Sequence, residues 1–83
     1  MKVRIKYFAS IREAIGQGGE WRETSALTLA DLRDELLATS PAHEASLARG
    51  KSVRMALDQV MSDEAACLTD GCEVAFFPPV TGG

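Results

Sequence analysis

At 83 residues, with 46% apolar and 25% charged side chains, the chain is read as one folded domain, too thin in its core to carve a deep pocket around a whole substrate. A formal net charge of −3 argues against nucleic-acid binding, which needs a basic surface. No run approaches the ~20 apolar residues of a membrane span, and Lys2 and Arg4 interrupt the first apolar residues where a signal peptide needs its hydrophobic stretch, so a cytoplasmic location is expected.

Residues 2–8 alternate charged and apolar, which predicts a half-buried strand with Val3, Ile5 and Tyr7 inward and Lys2, Arg4 and Lys6 on a solvated outer face able to guide an acidic partner. Residues 10–15 read as a short helical turn with Ser10 as N-cap. Gly16, Gly18 and Gly19 then break the chain, without the spacing or the lysine of a phosphate-binding loop. Residues 20–25 read as a second strand with Trp21 as its buried side chain, completing an N-terminal hairpin.

Residues 28–39 give the clearest helix. Thr28 caps it with Asp31 three positions on, Leu29, Leu32 and Leu36 share its core face, and Ser40-Pro41 stops it. A second short helix is expected over 42–49, ending near Gly50. Residues 52–58 read as a strand, 59–67 as irregular, Asp70-Gly71 as a turn and 73–77 as the last strand. From Pro78 onward the chain has no donors for a ladder, so 1–77 form the domain and 78–83 an extended tail reaching on the order of 20 Å. Strand, strand, helix and further strands define an α+β class, a helix packed across one face of a mixed sheet, and a β-grasp (ubiquitin-like) arrangement fits this order.

No local set of catalytic groups accompanies this framework. His43 is expected at the surface, Asp63-Glu64 in a solvated turn, and no serine lies in a nucleophile elbow. Cys67 and Cys72, with four residues between them and one distant histidine, are too few for a zinc site and are read as reduced thiols. The chemistry is expected at Gly82-Gly83: without side chains this backbone can enter a narrow slot, leaving the Gly83 carboxylate open to activation. Pro78 and Pro79 stiffen the root of the tail and lower the entropy lost on threading it into a partner.

Residues 68–83, LTDGCEVAFFPPVTGG, resemble the C-terminus of the molybdopterin synthase small subunit (MoaD) family, and VRIKYFASIRE, residues 3–13, resembles that family's opening strand and first helix. Two departures are Cys72, where an acidic residue is common, and Asp58, where many relatives carry Asn. The resemblance implies a β-grasp sulfur carrier that binds no cofactor itself. An E1-like adenylating enzyme using ATP-Mg would activate Gly83, a sulfur donor protein would convert it to a thiocarboxylate, and Gly82 would give the tail clearance. The tail would then enter the large subunit, in a heterotetramer of two small and two large subunits, and pass sulfur to cyclic pyranopterin monophosphate, with neither nucleic acid nor membrane involved.

Partner docking is assigned to Phe77, which alternates outward from Val74 and Phe76, to Pro78, Pro79, Val80 and Thr81 of the tail, and to Phe8, Met61 and Arg12. Three other readings share the fold. A thiamin-pathway sulfur carrier would act on a thiazole precursor, a ubiquitin-like modifier would form lysine-linked adducts, and an interaction module with an incidental tail would tolerate loss of Gly82-Gly83.

Overall fold

The computed structural model describes residues 1–79. In chain order these form β1 (Lys2–Tyr7), α1 (Ala9–Ile15), β2 (Gly19–Glu23), α2 (Leu29–Leu37), α3 (Pro41–Leu47), β3 (Arg54–Leu57), β4 (Val60–Ser62) and β5 (Glu73–Phe77). The strands make one sheet in the order β2-β1-β5-β3-β4. Central β5 runs parallel to β1, and every other pairing is antiparallel.

Alternation along β1 places Val3, Ile5 and Tyr7 on the inner face, joined by Val74 and Phe76 of β5 and Met55 of β3. Against them lie Ile11 of α1, Leu29, Leu32 and Leu36 of α2, and Leu47 of α3. The three leucines of α2 recur at intervals of three and four, so one stripe meets the sheet. Thr28 Oγ1 accepts from Asp31 N at 3.2 Å and fixes the start of α2. Ser40 does not merely end α2. It also caps α3, accepting from His43 N at 3.2 Å, with Pro41 in the first turn where a missing N–H costs nothing.

Several expectations are corrected. Helix α1 begins at Ala9, and Phe8 rather than Ser10 occupies its N-cap position, without a side-chain cap bond. Trp21 is not buried: it pairs with Arg4 across β1–β2, on the outer face, and is 56% exposed. Register decided its side, against the general preference of large apolar groups for the interior. His43 is buried, because positions 43, 46 and 47 form the inward stripe of α3. Its ring meets Tyr7 edge-on at 5.8 Å, and its Nδ1 lies 2.8 Å from Ser40 Oγ.

Residues 60–62, expected to be irregular, form β4 in a hairpin with β3. Its two-residue loop, Asp58 and Gln59, has φ of 49° and 69°. Nor is Glu64 merely solvated: it pairs with Arg33 at 2.8 Å and Arg49 at 2.6 Å. The glycine-rich break has two local causes. Gly16 ends α1 at φ 89°, and a Cβ on Gly19 would stand 2.8 Å from the Ile5 carbonyl oxygen.

Candidate functional site

The outer face of the sheet carries no helix among the described elements, and its composition changes along β5. Ala56 and Ala75 pair across β3–β5, and Arg54 pairs with Phe77. Parallel pairing of Tyr7 with Phe76 leaves Phe8 and Phe77 next to each other where the strands end. Their rings stack with centroids 4.7 Å apart and planes 10° from parallel. Phe8 remains 39% exposed, and Phe77 half-buried.

Phe8, Ala9, Arg54, Met61, Phe77, Pro78 and Pro79 together line a shallow depression of about 380 Å³. The structure therefore brings five of the expected partner-binding residues, Phe8, Met61, Phe77, Pro78 and Pro79, to one place. Met61 reaches it because β4 exists, and that strand also exposes Val60. Arg12 lies outside the depression, packed against Gly18 and lining a neighbouring hollow with Phe8. Arg54 and Ala9 were not expected here. The alternation of β3 carried the signal for Arg54, which shares a face with Ala56. Ala9 gave none, since its φ of 50° is a strained conformation for a residue with a Cβ.

Pro78 and Pro79 stand between two hollows. On the helix side a groove of about 530 Å³ is lined by Ser10, Ile11, Ala14, Ser46, Lys51 and Val53, among others, and again by Pro78 and Pro79. The charged residues lining the two hollows are Arg54 and Lys51, both cations. A partner seated around the root would therefore meet a positive rim about an apolar centre, an arrangement suited to an acidic surface.

Behind this face the sheet is braced by partly buried polar contacts. Tyr7 donates to Glu20 Oε2 at 3.0 Å, and burial followed by the nearby Glu20 charge pushes its phenol well above the usual range. Glu35 accepts from Arg22 Nε and from Thr24 Oγ1, tying α2 to β2. Partial burial acts to raise the Glu35 carboxyl, but the bonds from Thr24 and Arg22 outweigh it and hold it below its ordinary value. Glu64 is lowered as well, first by its bond from Arg49 and, against partial burial, by that from Arg33. Among the described residues no group of three or more His, Cys, Asp or Glu could hold a metal ion, and no helix is long and apolar enough to cross a membrane. Cys72 is a buried free thiol and Cys67 an exposed one.

The assignments to Val80, Thr81, Gly82 and Gly83 lie outside the described residues. What is described is the base from which they continue: Pro78 half-buried and Pro79 exposed, at the end of β5 beside the stacked rings.

A five-strand mixed sheet with its helices on one face is the β-grasp arrangement of ubiquitin-like proteins. Small archaeal modifier protein 1 from Haloferax volcanii shares the fold, with a TM-score of 0.81 and 24% identity over 100% of both chains. The chain belongs to the ThiS family, whose model matches residues 5–83. It is 37% identical over 81 residues to the molybdopterin synthase sulfur carrier subunit of Escherichia coli (strain K12), covering 98% of this chain and 99% of that relative. It is also similar to a chain in the protein–protein complex of subunits 1 and 2 of molybdopterin-converting factor from Helicobacter pylori 26695, at 25% identity and a TM-score of 0.71 over 100% of both chains.

Proposed function

We propose that this chain is the sulfur carrier subunit of molybdopterin synthase, acting in the cytoplasm through the carboxylate of Gly83. The observation that carries the reading is the similarity to the Escherichia coli carrier subunit along nearly the whole of both chains. The apolar depression at the root of the tail supports it, since a carrier without catalytic groups must dock on enzymes that have them.

A carboxylate is a poor electrophile, so an E1-like adenylating enzyme first joins a Gly83 oxygen to the α-phosphorus of ATP and expels pyrophosphate. ATP-Mg is held by that enzyme, and this chain binds no cofactor itself. The terminal sulfur of a donor-protein persulfide then attacks the acyl carbon and AMP leaves, and a thiol attacks the donor's sulfur in the resulting acyl disulfide, forming a new disulfide and releasing the thiocarboxylate. Docked on the large subunit, in a heterotetramer of two small and two large subunits, the chain presents that anionic sulfur to cyclic pyranopterin monophosphate. Gly82 and Gly83 keep the path clear of side chains, Val80 and Thr81 line the threaded segment, and Phe8, Phe77, Pro78, Pro79, Met61 and Arg12 seat the domain. The enzyme partner supplies proximity and the proton transfers.

Intact mass spectrometry tests the reading. Incubation with the activating enzyme, ATP-Mg and a sulfur source converts Gly83 to the thiocarboxylate, seen as an oxygen-to-sulfur mass increase confined to that residue. Deleting Gly83 abolishes pyranopterin conversion and leaves the melting temperature unchanged. Conversion that persists without Gly83 sinks the reading, and adducts on protein lysines in place of the thiocarboxylate favour a modifier.

A further inference from the structure

The exposed position of Trp21 gains the fold little, because an indole stabilises a small domain by leaving water. On the outer face of β1 and β2 it is instead flanked by cations. Lys2 Nζ lies 5.9 Å and Arg4 Cζ 5.8 Å from its ring. Neither Lys2 nor Arg4 has a carboxylate within salt-bridge distance among the described residues, whereas neighbouring Lys6 is paired with Glu73 at 3.2 Å. Two cations of β1 without a salt-bridge partner therefore stand beside an exposed aromatic ring on the edge strand β2.

This platform is not isolated. A hollow of about 390 Å³, lined by Arg4, Lys6, Phe8, Arg12 and Trp21 and by one acid, Glu20, which is held by Tyr7, Gln17 and Arg22, runs from it to Phe8. Phe8 also lines the apolar depression at the root of the tail, so the two surfaces share a wall. A partner covering Phe8 and Phe77 thus has Lys2, Arg4 and Trp21 at the margin of the same footprint.

We propose that Lys2, Arg4 and Trp21 form a second contact for the molybdopterin synthase large subunit and receive an acidic segment of it, with carboxylates on the two cations and an apolar or planar group on the indole. The proposal rests on the function given above and extends its docking surface from the tail root across β1 onto β2. The cations would act mainly on the rate of encounter, and the indole, once covered, on the lifetime of the complex.

The test is surface plasmon resonance with the full chain and the large subunit from the same genome, at low and high salt. Arg4→Glu and Lys2→Glu each weaken binding about tenfold at low salt, chiefly through a slower on-rate, and the deficit shrinks as Debye screening grows. Trp21→Ala weakens it about tenfold through a faster off-rate that salt does not restore. Melting curves confirm that each variant is folded, and three separate substitutions leave a reading should one fail to fold. Variants that bind within twofold of the parent at every salt concentration overturn the inference and leave the proposed function standing. A parent chain that does not bind the large subunit overturns both.

Discussion

Arg33 shows how one side chain can hold a segment with no regular structure of its own. It lies in α2 with its side chain 5% exposed, yet every nitrogen of its guanidinium donates a hydrogen bond. Nε donates to the Leu47 carbonyl at 2.7 Å, Nη2 to those of Ala48 and Lys51 at 2.8 and 3.2 Å, and Nη1 to Glu64. The chain between α3 and β3 is thereby pinned to α2, and with it Lys51 and Val53 at the wall of the groove beside the tail root. Arg33→Met keeps much of the apolar stem and removes every donor. Because Glu64 retains Arg49, the loss comes from the stranded carbonyls and amounts to about 2–3 kcal/mol. Urea unfolding should show a lower midpoint at an unchanged slope. A midpoint equal to the parent's would mean that water replaces the guanidinium at no cost.

Among the elements, the β3–β4 hairpin carries a visible local conflict. Both loop residues, Asp58 and Gln59, have positive φ, as a type I′ turn requires. Asp58 suits that geometry, and its side chain accepts from Glu73 N at 2.9 Å while its own N–H donates to Glu73 O at 2.8 Å. Its carboxylate supplies the acceptor that the turn needs. Gln59 has no such compensation. Gln59→Gly relieves the left-handed strain and should raise stability by about 0.5–1 kcal/mol, a melting temperature higher by about 2–8 °C for a domain of this size. A lower melting temperature would show that glycine's extra freedom in the unfolded chain outweighs the strain.

The same loop explains why β4 was illegible: Asp-Gln does not announce a hairpin as Asp-Gly does. Where periodicity and burial agreed, in β1, β5 and the leucine stripe of α2, the sequence was sufficient. Phe8 and Phe77 followed from phase alone. Trp21 was misplaced because its side depends on pairing with Arg4, a register that composition does not reveal. Arg33 was invisible because its acceptors are backbone carbonyls of a distant loop. The alternation of β3 puts Arg54 on one face with Ala56, but only the pairing of β3 with β5 sets it beside Phe77. The segment 80–83, where the chemistry is placed, was legible only as a pattern of residue types.

At the scale of the whole molecule these contacts set the pH range in which the fold is stable. Glu35 joins α2 to β2 and Glu64 joins α2 to the segment before Cys67, and both carboxyls are held below their ordinary value. A depressed carboxyl adds stability above its unfolded value, about 4.3, and that contribution is lost as pH falls through the lower folded value. Urea midpoints should therefore hold from pH 8 to 6 and decline below about pH 5, with the decline shallower for Glu35→Gln. Tyr7 bounds the other side. Its phenol is raised by burial and by Glu20, so the folded chain keeps a proton that the unfolded chain releases near pH 10. Its contribution is complete below that pH and is lost as pH rises toward the folded value. Stability should accordingly fall above about pH 10, and part of the fall should disappear in Tyr7→Phe, which keeps the ring in the core and has no proton to release. Superimposable alkaline limbs for the parent and Tyr7→Phe would show that Tyr7 does not set this boundary.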